Sequence, residues 1–223
     1  MTSPDPGFCI VPEVFEAGEI EPLLAIMNGP LPSRTKAGAR HLLAVPAVRE
    51  VAADPRLRNL AREFLGGSPV AFRATLFDKS PEANWVVVWH QDTALPLCQR
   101  VDLDGWGPWS IKSGVLYAHA PADVLARIVA LRIHLDDQTH RNGPLRVLPG
   151  THAHGVLSDA QIEQFARETP PVDCLAPAGG VVVMRPLLVH ASSKLRELRP
   201  RRVLHIEYAA QRQVAPQMEL AVA

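Results

Sequence analysis

Apolar residues recur along this chain with two different periods, and the change of period near residue 70 divides it in two. Before residue 70 the spacing is helical. Leu57, Leu60, Ala61, Phe64 and Leu65 fall at i, i+3 and i+4 intervals and predict one buried helix face. Asp54 is placed to cap that helix, Pro55 suits its first position, and Gly66-Gly67 stop it after Leu65. Weaker helical patterns cover Glu13 to Met27, interrupted by Gly18 and Pro22, and Pro46 to Ala53. Residues 1–11 read as an irregular arm and Pro30 to Arg40 as a polar loop.

From Val70 the pattern becomes that of short strands. Val70–Asp78 and Asn84–Asp92 are separated by the turn Lys79-Ser80-Pro81-Glu82. Leu125–Leu135 is a strongly apolar strand, and Asn142-Gly143 turns the chain into Leu145–Leu148. Ser158 caps a helix over Asp159–Glu168. Val172–Leu175, Gly180–Met184 and Val203–Ala209 complete the series. Residues 93–125, rich in Gly, Pro and Trp, predict a long irregular lid. Many short strands behind a helical start predict a mainly β fold with flanking helices, a cupin-like double-stranded β-helix or jelly roll. One domain over 1–223 is expected, with helices at about 12–66 and the jelly-roll core at about 70–210.

Composition narrows the function classes. Lys plus Arg (23) balance Asp plus Glu (23), so no bulk charge points to nucleic acid or to a membrane surface. No apolar run approaches a membrane span, and no leader pattern opens the chain. Cys9, Cys98 and Cys174 are scattered without metal-knuckle spacing, which fits a reducing, cytoplasmic setting. The expected partner is a small molecule, met by a monomer or weak homodimer.

The chemistry begins at Trp89-His90-Gln91-Asp92. On a strand His90 and Asp92 project to one face and Gln91 to the other. They supply two-thirds of the 2-His-1-carboxylate triad that holds non-haem Fe(II). A jelly roll closes by joining distant strands, so the third ligand should lie far along the chain, and His190 after Leu187-Leu188-Val189 is best placed. Arg201 then opens the last strand. A guanidinium there suits the distal carboxylate of 2-oxoglutarate, the other end of which chelates iron, and Ser192 can add a hydroxyl. A rival pair, His134 and Asp136, runs into a turn and leaves less chain before His190. His152 and His154 lie in a loop without a nearby carboxylate and read as a surface pair.

Three segments together resemble the phytanoyl-CoA dioxygenase family of Fe(II)/2-oxoglutarate oxygenases. They are Trp-His-Gln-Asp at 89–92, Asn-Gly-Pro-Leu-Arg-Val-Leu-Pro-Gly-Thr-His at 142–152, and His190 followed by Arg201-Arg202. The resemblance covers roughly residues 70–210. It implies Fe(II) on His90, Asp92 and His190, 2-oxoglutarate on Arg201, and O2 as the oxidant. It also implies that Thr75 lies near the cosubstrate and that Arg132 faces cosubstrate or substrate. A cation upstream of residue 45 is implied as well, with Lys36 and Arg40 both open. The carboxylate of Asp92 favours hydroxylation over halogenation, because halogenating relatives carry a small residue there.

Substrate contacts are expected from the lid: Trp106, Trp109, Tyr117 and His119. Arg132, flanked by Leu131 and Ile133, must point into a cavity or out to solvent, and pointing in it needs an anionic partner. Two other readings remain open: a jelly-roll protein that binds metal and 2-oxoglutarate without turnover, and a cupin-type metalloenzyme that does not use 2-oxoglutarate.

Overall fold

The helices near the N-terminus form where the apolar period places them. In the computed structural model, which describes residues 5–223, β1 (Phe8–Val11) precedes α1 (Ala17–Asn28) and β2 (Gly38–Ala39). Next come α2 (Pro46–Ala52) and α3 (Pro55–Leu65). Asp54 Oδ1 accepts from the Arg56 amide at 2.8 Å, and Gly66 ends α3 at φ 72°. α1 begins later than the apolar pattern suggested, because the Glu19 carboxylate accepts from the Glu16 amide at 2.9 Å and fixes the first turn there.

β3 (Val70–Lys79) and β4 (Val87–His90) follow, then β5 (Ala94–Leu97), β6 (Trp109–Lys112), β7 (Val115–His119) and α4 (Ala122–Leu125). The remaining strands are β8 (Ile128–His134), β9 (Leu145–Val147), β10 (Val172–Cys174) and β11 (Val181–Met184), with α5 (Asp159–Glu168) before β10. β12 (His190–Ser192), β13 (Arg201–Ala209), β14 (Gln213–Ala215) and β15 (Met218–Glu219) complete the chain. The major sheet has the order β1-β11-β8-β13-β3-β2 and the minor sheet β10-β9-β12-β4, both antiparallel. Neighbours so distant in sequence are what a jelly roll requires.

The major sheet has two unlike faces. Along β13, Leu204, Ile206 and Tyr208 pack beneath the helices with Met27, Leu57 and Ala61. The Tyr208 hydroxyl donates to the Ala52 carbonyl at 2.9 Å, tying the strand to the end of α2. The alternate residues Arg201, Val203, His205 and Glu207 face the other way. Their partners on β3 are Lys79, Phe77, Thr75 and Arg73. Cross-strand partners share a face, so one sheet surface carries a polar stripe.

Three expectations need correction. Phe8–Val11 is not part of an irregular arm: it pairs with β11 as an edge strand, four apolar residues being too few to display a period. Residues 1–4 lie outside the described residues. The 93–125 lid is not irregular either. β5, β7 and β6 form a three-stranded sheet of their own, with short strands whose pattern the glycines and prolines conceal. Finally, the fold continues past residue 210, where Leu97 bridges to Leu220 and the Ala223 amide donates to the Phe72 carbonyl at 2.7 Å. Among the described residues no helix is long and apolar enough to cross a membrane, and all three cysteines are free.

Candidate metal centre

β4 and β12 are neighbours in the minor sheet, and their register makes His90 and His190 direct cross-strand partners. Asp92 stands just past the end of β4, held by its amide donating to the Pro186 carbonyl at 2.9 Å. His90 Nε2 is 3.7 Å from Asp92 Oδ1, and His190 Nε2 is 3.5 Å from Asp92 Oδ2. One ligand atom from each of the three lies within 4.8 Å of the other two.

The rings are held in the orientation that a metal requires. His90 Nδ1 is 2.8 Å from the Val88 carbonyl, and His190 Nδ1 is 2.8 Å from the Leu188 carbonyl. A carbonyl only accepts, so each ring carries a proton on Nδ1 and turns Nε2 towards Asp92. Burial pushes His190 down to about 4, against the pull of Asp92, which leaves it neutral at neutral pH. Burial resists the ionisation of Asp92, yet His190, His90, His205 and Arg73 together hold its carboxyl well below the usual range. Two imidazoles and one carboxylate form a donor set suited to Fe(II).

His90 and Asp92 open onto a cavity of about 220 Å³ that Arg40, Arg73, Thr75, Phe77, Lys112, Tyr117 and His205 also line. Lys112 and Tyr117 come from the three-stranded sheet, which roofs the cavity, and the Lys112 ammonium lies 5.1 Å from the Tyr117 ring. The Tyr117 hydroxyl is 3.1 Å from His41 Nε2, joining the roof to the N-terminal segment. Arg73 forms an ion pair there with the buried Glu207.

Behind the metal centre the interior is cationic. Arg201 is buried, and its Nε and Nη1 have no partner in the protein. Burial beside Arg132 pushes its guanidinium down to about 9, still charged at neutral pH. Arg132 points inward, as one of its two orientations required, with Nη1 3.0 Å from His205 Nδ1 and Nε unpaired. Ser192 is buried, and Thr75 lies directly across from His205.

The structure separates other expected residues from this centre. Trp109 alternates with Lys112 on β6, so it faces away from the cavity and packs in the cluster of Leu95, Leu97 and Ala118. Trp106 joins the same cluster and lines a separate groove with Val214 and Pro216. His119 shares a face with Tyr117 but ends at the rim, its Nδ1 2.6 Å from Thr93 Oγ1. Of the two upstream cations, Arg40 lines the cavity, whereas Lys36 sits in the Thr35–Gly38 turn. The rival pair is split: Asp136 binds Arg202 at 2.6 Å, while His134 is buried in the interior. His152 lies 3.6 Å from Asp5, and the His154 ring packs tilted against Phe165.

Sequence reasoning missed Arg73, Lys79, Lys112, His205 and Glu207. For the strand residues the signal was present. Arg73, Thr75 and Lys79, then Arg201, His205 and Glu207, fall on one face of their strands, each series broken only by Phe77 or Val203, the argument applied only to Arg132.

The sequence matches the phytanoyl-CoA dioxygenase (PhyH) family over residues 5–203, well upstream of the segment that carried the resemblance. It is 27% identical to L-proline trans-4-hydroxylase of Streptomyces griseoviridis over 180 residues, 69% of this chain and 59% of that protein. It is 24% identical to ectoine dioxygenase of Stutzerimonas stutzeri over 166 residues, 67% of this chain and 48% of that protein. The chain thus spans about half to three-fifths of the length of these relatives. The crystal structure of EctD from S. alaskensis with 2-oxoglutarate and 5-hydroxyectoine aligns at a TM-score of 0.69. That alignment has 22% identity and covers 92% of this chain and 72% of the other.

Proposed function

Because the chain belongs to the phytanoyl-CoA dioxygenase family, we propose that it is an Fe(II)- and 2-oxoglutarate-dependent dioxygenase acting on a small molecule. The reaction we assign is hydroxylation of an unactivated C–H bond by O2, with release of succinate and CO2. The observation that carries this reading is the convergence of His90, Asp92 and His190, with both rings turned Nε2-inward by backbone carbonyls. Both characterised relatives are named for action on small molecules, which supports the substrate class.

Bound to these three residues, Fe(II) would supply the O2 activation and redox chemistry that protein side chains lack. The chain's own residues do the positioning. His90, Asp92 and His190 hold the metal. Arg201 offers the distal carboxylate of 2-oxoglutarate a planar fork of donors, and the Ser192 hydroxyl is available as a further one. Thr75 and Arg132 belong to the same polar face and serve the cosubstrate. Phe77 and Tyr117 contribute the apolar walls that limit water around the reacting C–H bond. Action in the cytoplasm as a monomer or weak homodimer belongs to the same proposal.

Anaerobic addition of Fe(II) and 2-oxoglutarate tests it. The wild type should develop a charge-transfer absorption, and His190→Ala should not. A succinate-release screen over small amino acids and natural-product scaffolds should then find a product heavier by one oxygen. A wild type with neither the absorption nor any succinate release would refute the assignment.

A further inference from the structure

A second cation stands beside Arg201. Lys79 ends β3, is the direct cross-strand partner of Arg201, and has no exposed surface. No carboxylate pairs with it among the described residues. Its Nζ donates only to neutral oxygens, Ser192 Oγ at 3.0 Å and the Ser193 carbonyl at 2.6 Å, and lies 5.2 Å from the Trp85 ring. A buried ammonium without a counter-charge is costly, and this one shares its surroundings with Arg201 and Arg132, which disfavour its charge further.

The polar groups around it are left unpaired in the protein. Arg201 Nε and Nη1, Arg132 Nε and both ring nitrogens of His134 are buried without partners. His134 brings no charge, because burial, then Arg132 and Arg201, push it down to about 3. The Ser192 hydroxyl accepts from Lys79, so its own proton is free to be donated. Three buried cations and one hydroxyl, none of them paired with a carboxylate among the described residues, form a site for an anion.

We propose that Lys79 acts with Arg201 as a second cation for the distal carboxylate of 2-oxoglutarate. This inference rests on the reading of the chain as a 2-oxoglutarate-dependent dioxygenase. The competing role is mechanical: Lys79 ties Ser192-Ser193, next to the ligand His190, to β3. The two roles separate cleanly. A tether supports any 2-oxo acid equally, whereas a carboxylate partner matters only when a second carboxylate is present.

The test compares wild type with Lys79→Met, Lys79→Gln, Lys79→Arg and Arg201→Met. Anaerobic Fe(II) charge-transfer titrations give the dissociation constants of 2-oxoglutarate and of 2-oxovalerate, which has a methyl in place of the distal carboxylate. Thermal melts of the metal-free proteins report on folding. Lys79→Met and Lys79→Gln should weaken 2-oxoglutarate binding by roughly 10- to 100-fold, the loss of one charge-assisted hydrogen bond. Their affinity for 2-oxovalerate should stay within about twofold of wild type, and Lys79→Arg should restore most of the loss. Lys79→Gln keeps a donor for the Ser193 carbonyl, so a tether would survive in it. Melting temperatures of the Met and Gln variants should not fall, because an uncompensated buried charge has been removed. Unchanged 2-oxoglutarate affinity, or equal weakening of both 2-oxo acids with a lowered melting temperature, would overturn the role of Lys79. A wild type without the charge-transfer band would instead overturn the functional reading, with Lys79 left aside.

Discussion

His90 and His190 face each other across β4 and β12, and each is oriented by the carbonyl two residues before it in its own strand. The two histidines of the candidate metal centre are therefore set by strand register, and Asp92 by the segment just past β4. Replacing a ligand should abolish metal binding without unfolding the sheet. For His190→Ala we expect Fe(II) affinity to drop beyond the roughly 10- to 100-fold that outer-shell changes cost. Metal titration with circular dichroism checks both halves of this statement.

The Arg73–Glu207 pair lies beneath the cavity, with only 1% of the Glu207 side chain exposed. Removing Arg73 strands Glu207 as a buried charge, whereas Arg73 lines the cavity and keeps the Ala94 carbonyl as an acceptor. Arg73→Met should cost about 3–5 kcal/mol of stability, Glu207→Gln less, and the double variant less than the sum of the two. Denaturant melts of the four proteins in the cycle measure this.

Tyr117 and Trp109 give a contrast within the roof. Tyr117→Phe removes the hydroxyl that meets His41 while leaving the metal ligands untouched. Its Fe(II) and 2-oxoglutarate affinities should match wild type, and the yield of hydroxylated product per succinate should fall. Trp109→Ala removes packing from the cluster of Leu95, Leu97 and Ala118. It should lower the melting temperature without changing 2-oxoglutarate affinity; parallel product analysis and melts distinguish the two effects.

A pH dependence follows from Lys79. Burial, then Arg201 and Arg132, push its ammonium down to about 7. Above pH 7 the free protein thus loses this charge, while a bound carboxylate would restore it. Binding of 2-oxoglutarate then takes up a proton, and affinity should fall as pH rises above 7, by at most about tenfold per unit. The groups facing Lys79 do not produce the same slope. Arg132 carries no carboxylate partner that titrates, His134 is neutral throughout, and Arg201 loses charge only near 9. Lys79→Arg should flatten the profile between pH 7 and 8.5, and titration across that range is the check.

The helix signals were legible because they are local. Asp54, Pro55 and Gly66-Gly67 bound α3, and Ser158 caps α5, without help from distant residues. The positions of His90, Asp92 and His190 were legible because a strand alternates and a jelly roll must close. What escaped was information held in pairing. Four apolar residues at Phe8–Val11 become a strand only against β11. Lys79 at the head of a turn motif reads as a solvated lysine until β13 lies beside it. The tryptophans invited a binding role because aromatic residues in a glycine-rich stretch suggest a lid, but strand alternation sends Trp109 to the opposite side from Lys112 and Tyr117.

The roof over the cavity has its own hydrogen-bonded sheet, β5-β7-β6, anchored to the C-terminal segment through Leu97 and Leu220. The residues proposed for metal and cosubstrate come from or beside the two sheets of the jelly roll, whereas Lys112 and Tyr117 come from this separate layer. On the proposed function, selectivity and catalytic competence are thereby written on different pieces of backbone. A change of loop or strand in the roof can retune what enters while the iron ligands keep their register, so the layer is the natural place to graft a new specificity onto an unchanged reaction.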